Sequence, residues 1–230
     1  CRAERDVDIG ADDACTQAAP AAWTPWTERQ PPGLCYVLDA PCEGVADRVA
    51  YLTFDDGPTD WTGQFLDILA SREVQATFFV NARGIKGARG LDGTFTDDLG
   101  KTVAYKQLLK RIVDEGHVLG NHTTDHPDLG TLDEDEILQQ LQDNERLVNR
   151  ALLEVGGHSQ PLSLLRAPFG SPWFAEDRPI DDIPTRQAAA GRVFRELGYN
   201  VLWNISATDA DEWAQGEAPS KLALARDRSV

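Results

Sequence analysis

The sequence has 230 residues, of which 41% are apolar and 8% aromatic, and its formal net charge is -16. A chain of this length and composition is expected to fold as a globular domain with a sizeable core, which excludes a disordered chain. The strong negative charge excludes nucleic-acid binding, for which basic patches are needed, and no apolar run approaches the roughly 18 residues that span a bilayer.

The N-terminal region, residues 1–48, is rich in proline and turn residues and shows little periodicity, which predicts a loop-rich arm. All four cysteines lie in it, at positions Cys1, Cys15, Cys35 and Cys42. Clustered cysteines in even number, without a Cys-x-x-Cys pair, predict disulfide bonds in a secreted or cell-surface protein. Short loops favour the pairs Cys1–Cys15 and Cys35–Cys42, and a lipid-modified Cys1 is the alternative. The absence of methionine predicts that a secretory signal was removed from a longer chain.

Short apolar runs alternate with helical patterns from residue 49 onward. The predicted order is a strand at 49–54, a helix at 65–71, a strand at 76–80, a long glycine-rich loop at 83–100, a helix at 105–115, a strand at 117–121, a helix from the capping box of Thr131 and Glu134 to about 155, a strand at 162–166, a helix at 184–197 and a strand at 199–205. This alternation predicts one α/β domain over residues 49–230, with a parallel sheet that is open or closed into a barrel.

Two adjacent carboxylates, Asp55 and Asp56, follow the first predicted strand and precede a Gly-Pro pair. The carboxyl ends of parallel strands are where functional sites are built. Like charges placed together are costly, and a metal beside one carboxylate relieves this cost and leaves the other free to act as a base. An acidic turn is the alternative interpretation, because Asp-Gly and Gly-Pro are common turn pairs.

Two of the four histidines, His122 and His126, follow the third predicted strand four residues apart. They share a face if the backbone makes a helical turn, so both imidazoles would reach one ion. With Asp56 they form a set of two nitrogens and one carboxylate, which leaves a position for water as in catalytic zinc sites.

Arg166 ends the fourth predicted strand and is expected to pair with a carboxylate of the site. A solvated polar turn and an ordinary surface arginine are the alternatives.

Together these motifs resemble the polysaccharide deacetylase family, which shares the NodB homology domain and forms carbohydrate esterase family 4. Residues 53–58 (TFDDGP) match its first motif, residues 122–127 match its second, residues 166–170 are similar to its third, and residues 76–79 resemble its second strand. The resemblance covers roughly residues 49–213 and implies a distorted (β/α) barrel. It also implies hydrolysis of N-acetyl or O-acetyl groups on a polysaccharide such as peptidoglycan, chitin or xylan. A neutral polymer suits the acidic chain better than a polyanion, and we expect a monomer.

The resemblance implies a role for each motif residue. Asp56, His122 and His126 would bind a divalent metal, usually Zn²⁺, with Co²⁺, Ni²⁺ or Mn²⁺ as alternatives. Asp55 would be the general base that takes a proton from the attacking water, and Arg166 would orient Asp55. The backbone N–H of Phe169 would help to hold the oxyanion.

The C-terminal part departs from the family pattern at the fourth motif, which is roughly D-x-x-D-W. In the corresponding residues 206–213, Trp213 fits, but either Asp209 or Asp211 would be the acid that meets Arg166. Trp213 and Trp173 are the candidate sugar-stacking residues, and packing in the core is the alternative for each.

The fifth motif of the family, a leucine and a histidine on the last strand, is absent from the sequence. That histidine would be the general acid, and the two remaining histidines, His117 and His158, do not match the motif. We therefore expect the native protein to continue beyond Val230 with a strand that contains Leu-x-His. Two other hypotheses remain open: a metal-containing carbohydrate-binding relative that lacks the acid, and an enzyme of this fold that acts on another C–N bond.

Overall fold

The computed structural model describes residues 50–85, 90–174 and 179–203. Every element below lies in the compact unit that ends at Val201. The predicted N-terminal arm, its disulfides and the boundary at residue 48 lie outside the described residues and stay predictions. The same is true of Asp209, Asp211 and Trp213.

The described residues form an α/β fold with a parallel sheet, which confirms the predicted fold class. Its elements are β1 (Thr53–Gly57), α1 (Thr62–Ser71), β2 (Thr77–Val80), β3 (Thr94–Thr96), β4 (Thr102–Ala104), α2 (Tyr105–Asp114), β5 (Val118–Asn121), α3 (Glu134–Glu154), β6 (Leu164–Leu165), α4 (Ile183–Leu197) and β7 (Tyr199–Asn200). Within these ranges the main sheet has five strands in the order β1-β2-β5-β6-β7, and all neighbours are parallel. Closure into a barrel stays a prediction.

The side chain of Arg166 connects two strands that are not neighbours in the main sheet. Arg166 directly follows β6, which lies three positions from β1 in the strand order. Its Nη1 donates to Oγ1 of Thr53 on β1 at 2.8 Å, and its backbone N–H donates to the carbonyl of Asn121, at the end of β5, at 2.9 Å. Arg166 therefore links β1, β5 and β6.

Two clusters of buried apolar residues pack the helices against the sheet. The first includes Leu66, Phe78, Val80, Leu109, Ile112, Leu119, Val148 and Leu152. The second includes Leu129, Ile137, Leu141, Leu165, Ala190 and Phe194. Helix α3 contributes to both clusters, through Ile137 and Leu141 at one end and Val148 and Leu152 at the other. Its 21 residues are therefore held along their length against the part of the sheet that contains β5.

The first strand differs from the prediction because it begins later and includes the acidic motif itself. Its residues run from Thr53 to Gly57, and Asp55 is in register with Phe79 of β2. The register shifts between Asp55 and Gly57, and Asp56 has a φ of 67°. This irregularity turns Asp56 out of the strand, so the two neighbouring carboxylates do not continue the simple alternation of a β-strand.

The structure also differs from the prediction at the start of α3 and in the loop predicted over residues 83–100. The predicted cap of α3 at Thr131 is wrong: the N-cap is Asp133, whose carboxylate accepts from the N–H of Glu136 at 2.9 Å. The Thr131 hydroxyl instead donates to the carbonyl of Asp128 at 2.7 Å, in a short 3₁₀ turn that precedes the helix. The loop predicted over residues 83–100 contains β3, which forms an antiparallel hairpin with β4. Strands of three residues are too short to give a periodic signal.

Candidate metal and catalytic site

Three predicted metal ligands come together at the ends of β1 and β5. Nε2 of His122 lies 3.4 Å from Oδ1 of Asp56, and Nε2 of His126 lies 3.2 Å from the same atom. Tetrahedral ligands with arms of about 2.0–2.1 Å lie about 3.4 Å from one another, so these separations suit one Zn²⁺-sized ion. The three ligand atoms are all within 4.8 Å of one another.

The hydrogen bonding of the histidines and of Asp56 fits a cation rather than a simple hydrogen-bonded cluster. Nδ1 of His122 lies 2.8 Å from the carbonyl oxygen of Arg166, which can only accept, so Nδ1 carries the proton. In the neutral ring Nε2 then directs its lone pair toward Asp56, as in metal sites where a second contact fixes the histidine tautomer. Oδ1 of Asp56 is buried and no hydrogen bond reaches it within the described ranges. A divalent cation between these atoms would satisfy all of them.

The protonation states also favour metal binding. Burial raises the pKa of Asp56, but its interactions with His122 and His126 outweigh this, so the pKa lies below its ordinary value. Burial lowers the pKa of His126, and the opposing attraction of Asp56 is smaller. A ligand must be deprotonated to bind a metal. At neutral pH both groups are therefore in the form that a cation requires.

The second carboxylate, Asp55, is held by Arg166 rather than by the histidines. Nη1 of Arg166 lies 2.8 Å from Oδ1 of Asp55, whereas Oδ2 of Asp55 is 4.0 Å from Nε2 of His122. The guanidinium also donates through Nε to the carbonyl of Val201 at 2.9 Å and lies 4.1 Å from the centre of the Phe79 ring. Since its side chain is only 3% exposed, Arg166 holds one carboxylate in a fixed position.

Backbone strain is concentrated at this site. Among the described residues, six that are not glycine have positive φ, and four of them belong to the motifs: Asp56, Thr123, His126 and Phe169. Such conformations cost about 1–3 kcal/mol each and persist where the surrounding structure over-determines them. The strain therefore marks the site independently of its residue types.

Phe169 closes one side of the site. It lies in the 3₁₀ turn Pro168–Gly170, one residue after Arg166, with a φ of 61°. The residue is 43% exposed, and its ring packs edge-on against His126, with centroids 4.6 Å apart. The predicted oxyanion role of its N–H stays a prediction. Its exposed ring, which the sequence analysis did not single out, faces the solvent beside a proposed ligand.

Trp173 packs on the second core cluster, with its ring 5.3 Å from that of Phe194. This contact is the core-packing alternative stated for Trp173, and sugar stacking stays a prediction.

Neither of the two remaining histidines, His117 and His158, lies in the site. His117 is at the opposite end of β5 from His122, and its Nδ1 accepts from the N–H of Ala76 at 3.1 Å. His158 is exposed in the loop after α3.

Four side chains that no sequence motif indicated support residues 122–126, the histidine segment. Asn81, Asn121, Gln140 and Asn144 all bond to this segment or to one another. A signal for one of them was present. Ile137, Leu141, Asn144 and Val148 follow helical spacing, so Asn144 occupies a core position in an otherwise apolar stripe.

Comparison with known proteins agrees with this geometry. The profile of the polysaccharide deacetylase family matches residues 43–187. A chitooligosaccharide deacetylase of Sinorhizobium fredii is 33% identical over 76% of this chain and 66% of its own length. A peptidoglycan-N-acetylmuramic acid deacetylase of Bacillus subtilis is 35% identical over 71% of this chain and 49% of its own length. The solved chitin deacetylase of Colletotrichum lindemuthianum is 26% identical with a TM-score of 0.54, and the match covers 77% of this chain and 63% of that one.

The chain belongs to the polysaccharide deacetylase family, since the family profile spans more than half of it. The resemblance that the three sequence motifs indicated is thereby confirmed. The chain spans about half to two thirds of the length of the first curated relatives that it matches.

Proposed function

We propose that this protein is a metal-dependent hydrolase that removes acetyl groups from a polysaccharide. The observation that supports this most directly is the pairing of two chemically distinct carboxylates. Asp56 faces two histidine nitrogens at 3.2 and 3.4 Å, while Asp55 is bound by Arg166 at 2.8 Å. One carboxylate is thus available to a metal, and its neighbour is available for proton transfer.

The reaction assigned to these residues is hydrolysis of an acetamide. A divalent cation, most often Zn²⁺, held by Asp56, His122 and His126 would polarise the acetyl carbonyl and lower the pKa of a water molecule. Asp55 removes the proton from the attacking water and returns a proton to the amine nitrogen as the C–N bond breaks, and Arg166 keeps the Asp55 carboxylate oriented for both transfers. The N–H of Phe169 helps to hold the oxygen that becomes negative.

The proposed substrate class is an acetylated sugar polymer with N-acetyl groups. The curated relatives that match this chain are named for chitooligosaccharides and peptidoglycan, both of which contain N-acetylated sugars. The net charge of -16 favours a neutral glycan over a polyanionic one.

We also propose that the protein acts outside the cell, because its four cysteines cluster in one short region. In the described residues no helix is both long and apolar enough for a membrane span.

Acetate release by the full 230-residue chain tests this proposal. Acetylated chitooligosaccharides and peptidoglycan fragments are incubated with protein that was treated with a chelator and then supplied with Zn²⁺, Co²⁺, Ni²⁺ or Mn²⁺. We expect release that depends on the added metal and is lost in Asp55→Asn. Sugar binding with bound metal but no acetate release in any sample would instead support the carbohydrate-binding alternative. Release that is unaffected by the chelator would contradict the metal-dependent mechanism.

A further inference from the structure

The segment that contains both histidines, residues 122–126, is strained and needs support from its surroundings. Thr123 has a φ of 68° and His126 a φ of 57°, although neither is a glycine. A single internal side-chain bond, from the N–H of His126 to Oγ1 of Thr123 at 3.1 Å, spans the turn. Residues in this region of φ/ψ space persist only where other contacts fix them.

Asn81 supports the segment from the end of β2. Its side chain is buried, and Nδ2 donates to the carbonyl of His122 and, at 3.0 Å, to that of Thr123. The opposite amide orientation would place its oxygen against two carbonyl oxygens, so the direction of these bonds is determined. One amide therefore binds two consecutive carbonyls, including that of a proposed metal ligand.

Gln140 supports the same segment from helix α3. Its Oε1 accepts from the N–H groups of Thr124 and Asp125 at 3.0 and 3.1 Å. Its backbone carbonyl accepts from Oγ1 of Thr124 at 2.8 Å, and its Nε2 donates to the carboxylate of Asp125 at 3.2 Å. Two of the three residues between the histidines, Thr124 and Asp125, are thus bound to Gln140 of α3.

Asn144, one turn further along α3, completes the set through Asn121. Nδ2 of Asn144 donates to Oδ1 of Asn121 at 2.8 Å, and that same oxygen accepts from the N–H of Thr123 at 3.0 Å. Asn144 also donates to the carbonyl of Val80 and accepts from the N–H of Ala82, at 2.8 and 2.7 Å. It therefore ties the ends of β2 and β5 to each other. We call Asn81, Asn121, Gln140 and Asn144 the amide clamp.

We propose that the amide clamp positions His122 and His126 for the metal, and that its members are positioning residues of the site. Burying an amide in a core is costly unless its groups are bonded, as those of Asn144 are, and an apolar side chain would pack at that position without this requirement. The bonds of the clamp converge on the backbone of residues 122–125 and on the end of β2 beside it. Their joint effect is to impose two strained φ values that orient the imidazoles toward Asp56. This inference rests on the proposed metal site.

Asn149 provides a matched control within the same helix. It is buried like Asn144, at 5% against 0% exposure, and also uses both ends of its amide. Its Nδ2 donates to the carbonyl of Gln160 at 2.9 Å, and its Oδ1 accepts from the N–H of Gln160 at 2.8 Å. These bonds hold the loop before β6, outside the histidine segment. Loss of Asn149 removes a comparable buried network without touching the clamp.

The test measures the dissociation constants of Zn²⁺ and Co²⁺ by titration calorimetry, with the Co²⁺ absorption spectrum as a second readout. The proteins are the wild type, Gln140→Ala, Gln140→Glu, Asn144→Ala and Asn149→Ala, all as the full chain freed of metal. We expect metal binding to weaken by about 10- to 100-fold in Gln140→Ala and Asn144→Ala, the range typical of groups that orient metal ligands. Asn149→Ala should lower the melting temperature of the metal-free protein while leaving both dissociation constants unchanged.

Gln140→Glu keeps the oxygen that accepts from Thr124 and Asp125 but places a second carboxylate against that of Asp125, so it should recover only part of the affinity lost in Gln140→Ala. Wild-type affinity in Gln140→Ala and Asn144→Ala would overturn the inference while leaving the metal site intact. Equal weakening in Asn144→Ala and Asn149→Ala would also overturn it, because the effect would then be general destabilisation. If the wild type binds neither cation, the proposed function fails first, and the clamp has no metal site to position.

Discussion

The imidazole of His122 and the backbone carbonyl of Arg166 are 2.8 Å apart, so the second and third sequence motifs meet through a main-chain atom. Arg166 thereby serves both halves of the site. Its carbonyl fixes the tautomer of a proposed metal ligand, and its side chain binds Asp55. Because any substitution of Arg166 retains the carbonyl, these two effects can be separated by mutation.

Arg166→Lys should lower kcat while leaving metal binding close to wild type. A lysine cannot bond at once to Asp55, Thr53 and the carbonyl of Val201, as the guanidinium does, so Asp55 loses its orientation. Acetate release and the Zn²⁺ dissociation constant are measured on the same sample. A loss of metal affinity as large as the loss of activity would show that the side chain also holds the histidines.

His122→Ala and His126→Ala should each bind much less metal than the wild type, because each removes one of three ligand atoms that surround a single position. The metal content of the purified proteins is measured after dialysis against a limiting amount of Zn²⁺. His158→Ala is the control, since that histidine is exposed and outside the site. Equal metal content in all three variants and the wild type would contradict the assignment of the ligands.

The two adjacent carboxylates should respond differently to the same substitution. Asp55→Asn should reduce turnover by at least the roughly 10²–10⁴-fold contribution typical of a general base, and should keep its metal. Asp56→Asn should lose the metal, because its Oδ1 faces both histidines. If Asp55→Asn loses metal as readily as Asp56→Asn, the division of roles between the two is wrong.

Gly120→Ala should destabilise the fold by about 1–3 kcal/mol, the usual cost of overpacking a core. A Cβ at this position of β5 would lie 2.5 Å from Cδ1 of the Phe79 ring and 3.1 Å from the carbonyl of Leu164. Phe79 also lies under the guanidinium of Arg166, so activity should fall as well. The free energy of unfolding is measured in urea.

Gly63→Ala is the control for that substitution. Its Cβ would meet Leu108 at 3.7 Å, which is ordinary contact. Since Gly63 lies in the first turn of α1, alanine there should leave stability unchanged or increase it by up to about 1 kcal/mol. A Gly120→Ala protein as stable as Gly63→Ala would show that the Phe79 ring moves without cost.

His117 should make the free energy of unfolding decrease as the pH is lowered below the ordinary pKa of histidine. Burial lowers the pKa of His117 below 6.5; the nearby Glu115 opposes this in part, and Arg111 adds to the lowering. Nδ1 of His117 accepts from the N–H of Ala76. Below about pH 6.5 the unfolded chain binds a proton that the folded protein excludes, so the unfolding free energy decreases as the pH falls through the folded-state pKa.

His117→Gln should remove this part of the pH dependence, because glutamine has an oxygen that can accept from Ala76 and does not titrate. Urea unfolding of the metal-free wild type and variant is compared at about pH 8 and about pH 5.5. The same loss of stability in both proteins would assign the pH dependence to other groups.

Much of the site could be predicted from the sequence because its residues occur in short motifs at strand ends. The spacing of His122 and His126 and the adjacent pair Asp55 and Asp56 are local features, and each follows an apolar run. The alternation of strands and helices likewise predicted the parallel sheet, since hydrophobic periodicity reflects which faces are buried. Boundaries were less accurate: the cap of α3 lies at Asp133 because the Thr131 hydroxyl is bound in the preceding turn.

The sequence by itself determined the class of fold, the family and the residue types of the site, because these depend on periodicity and on motifs a few residues long. Only the tertiary structure decided which groups meet. Arg166 and Asp55 are 111 residues apart in the chain, and Asn144 and Val80 are 64 apart. Such contacts depend on the order of the strands in the sheet and on the packing of α3 beside β2 and β5, which are decided by the fold of the whole domain. No local pattern indicates that Asn144, a buried amide on α3, bonds both to the end of β2 and to the side chain of Asn121.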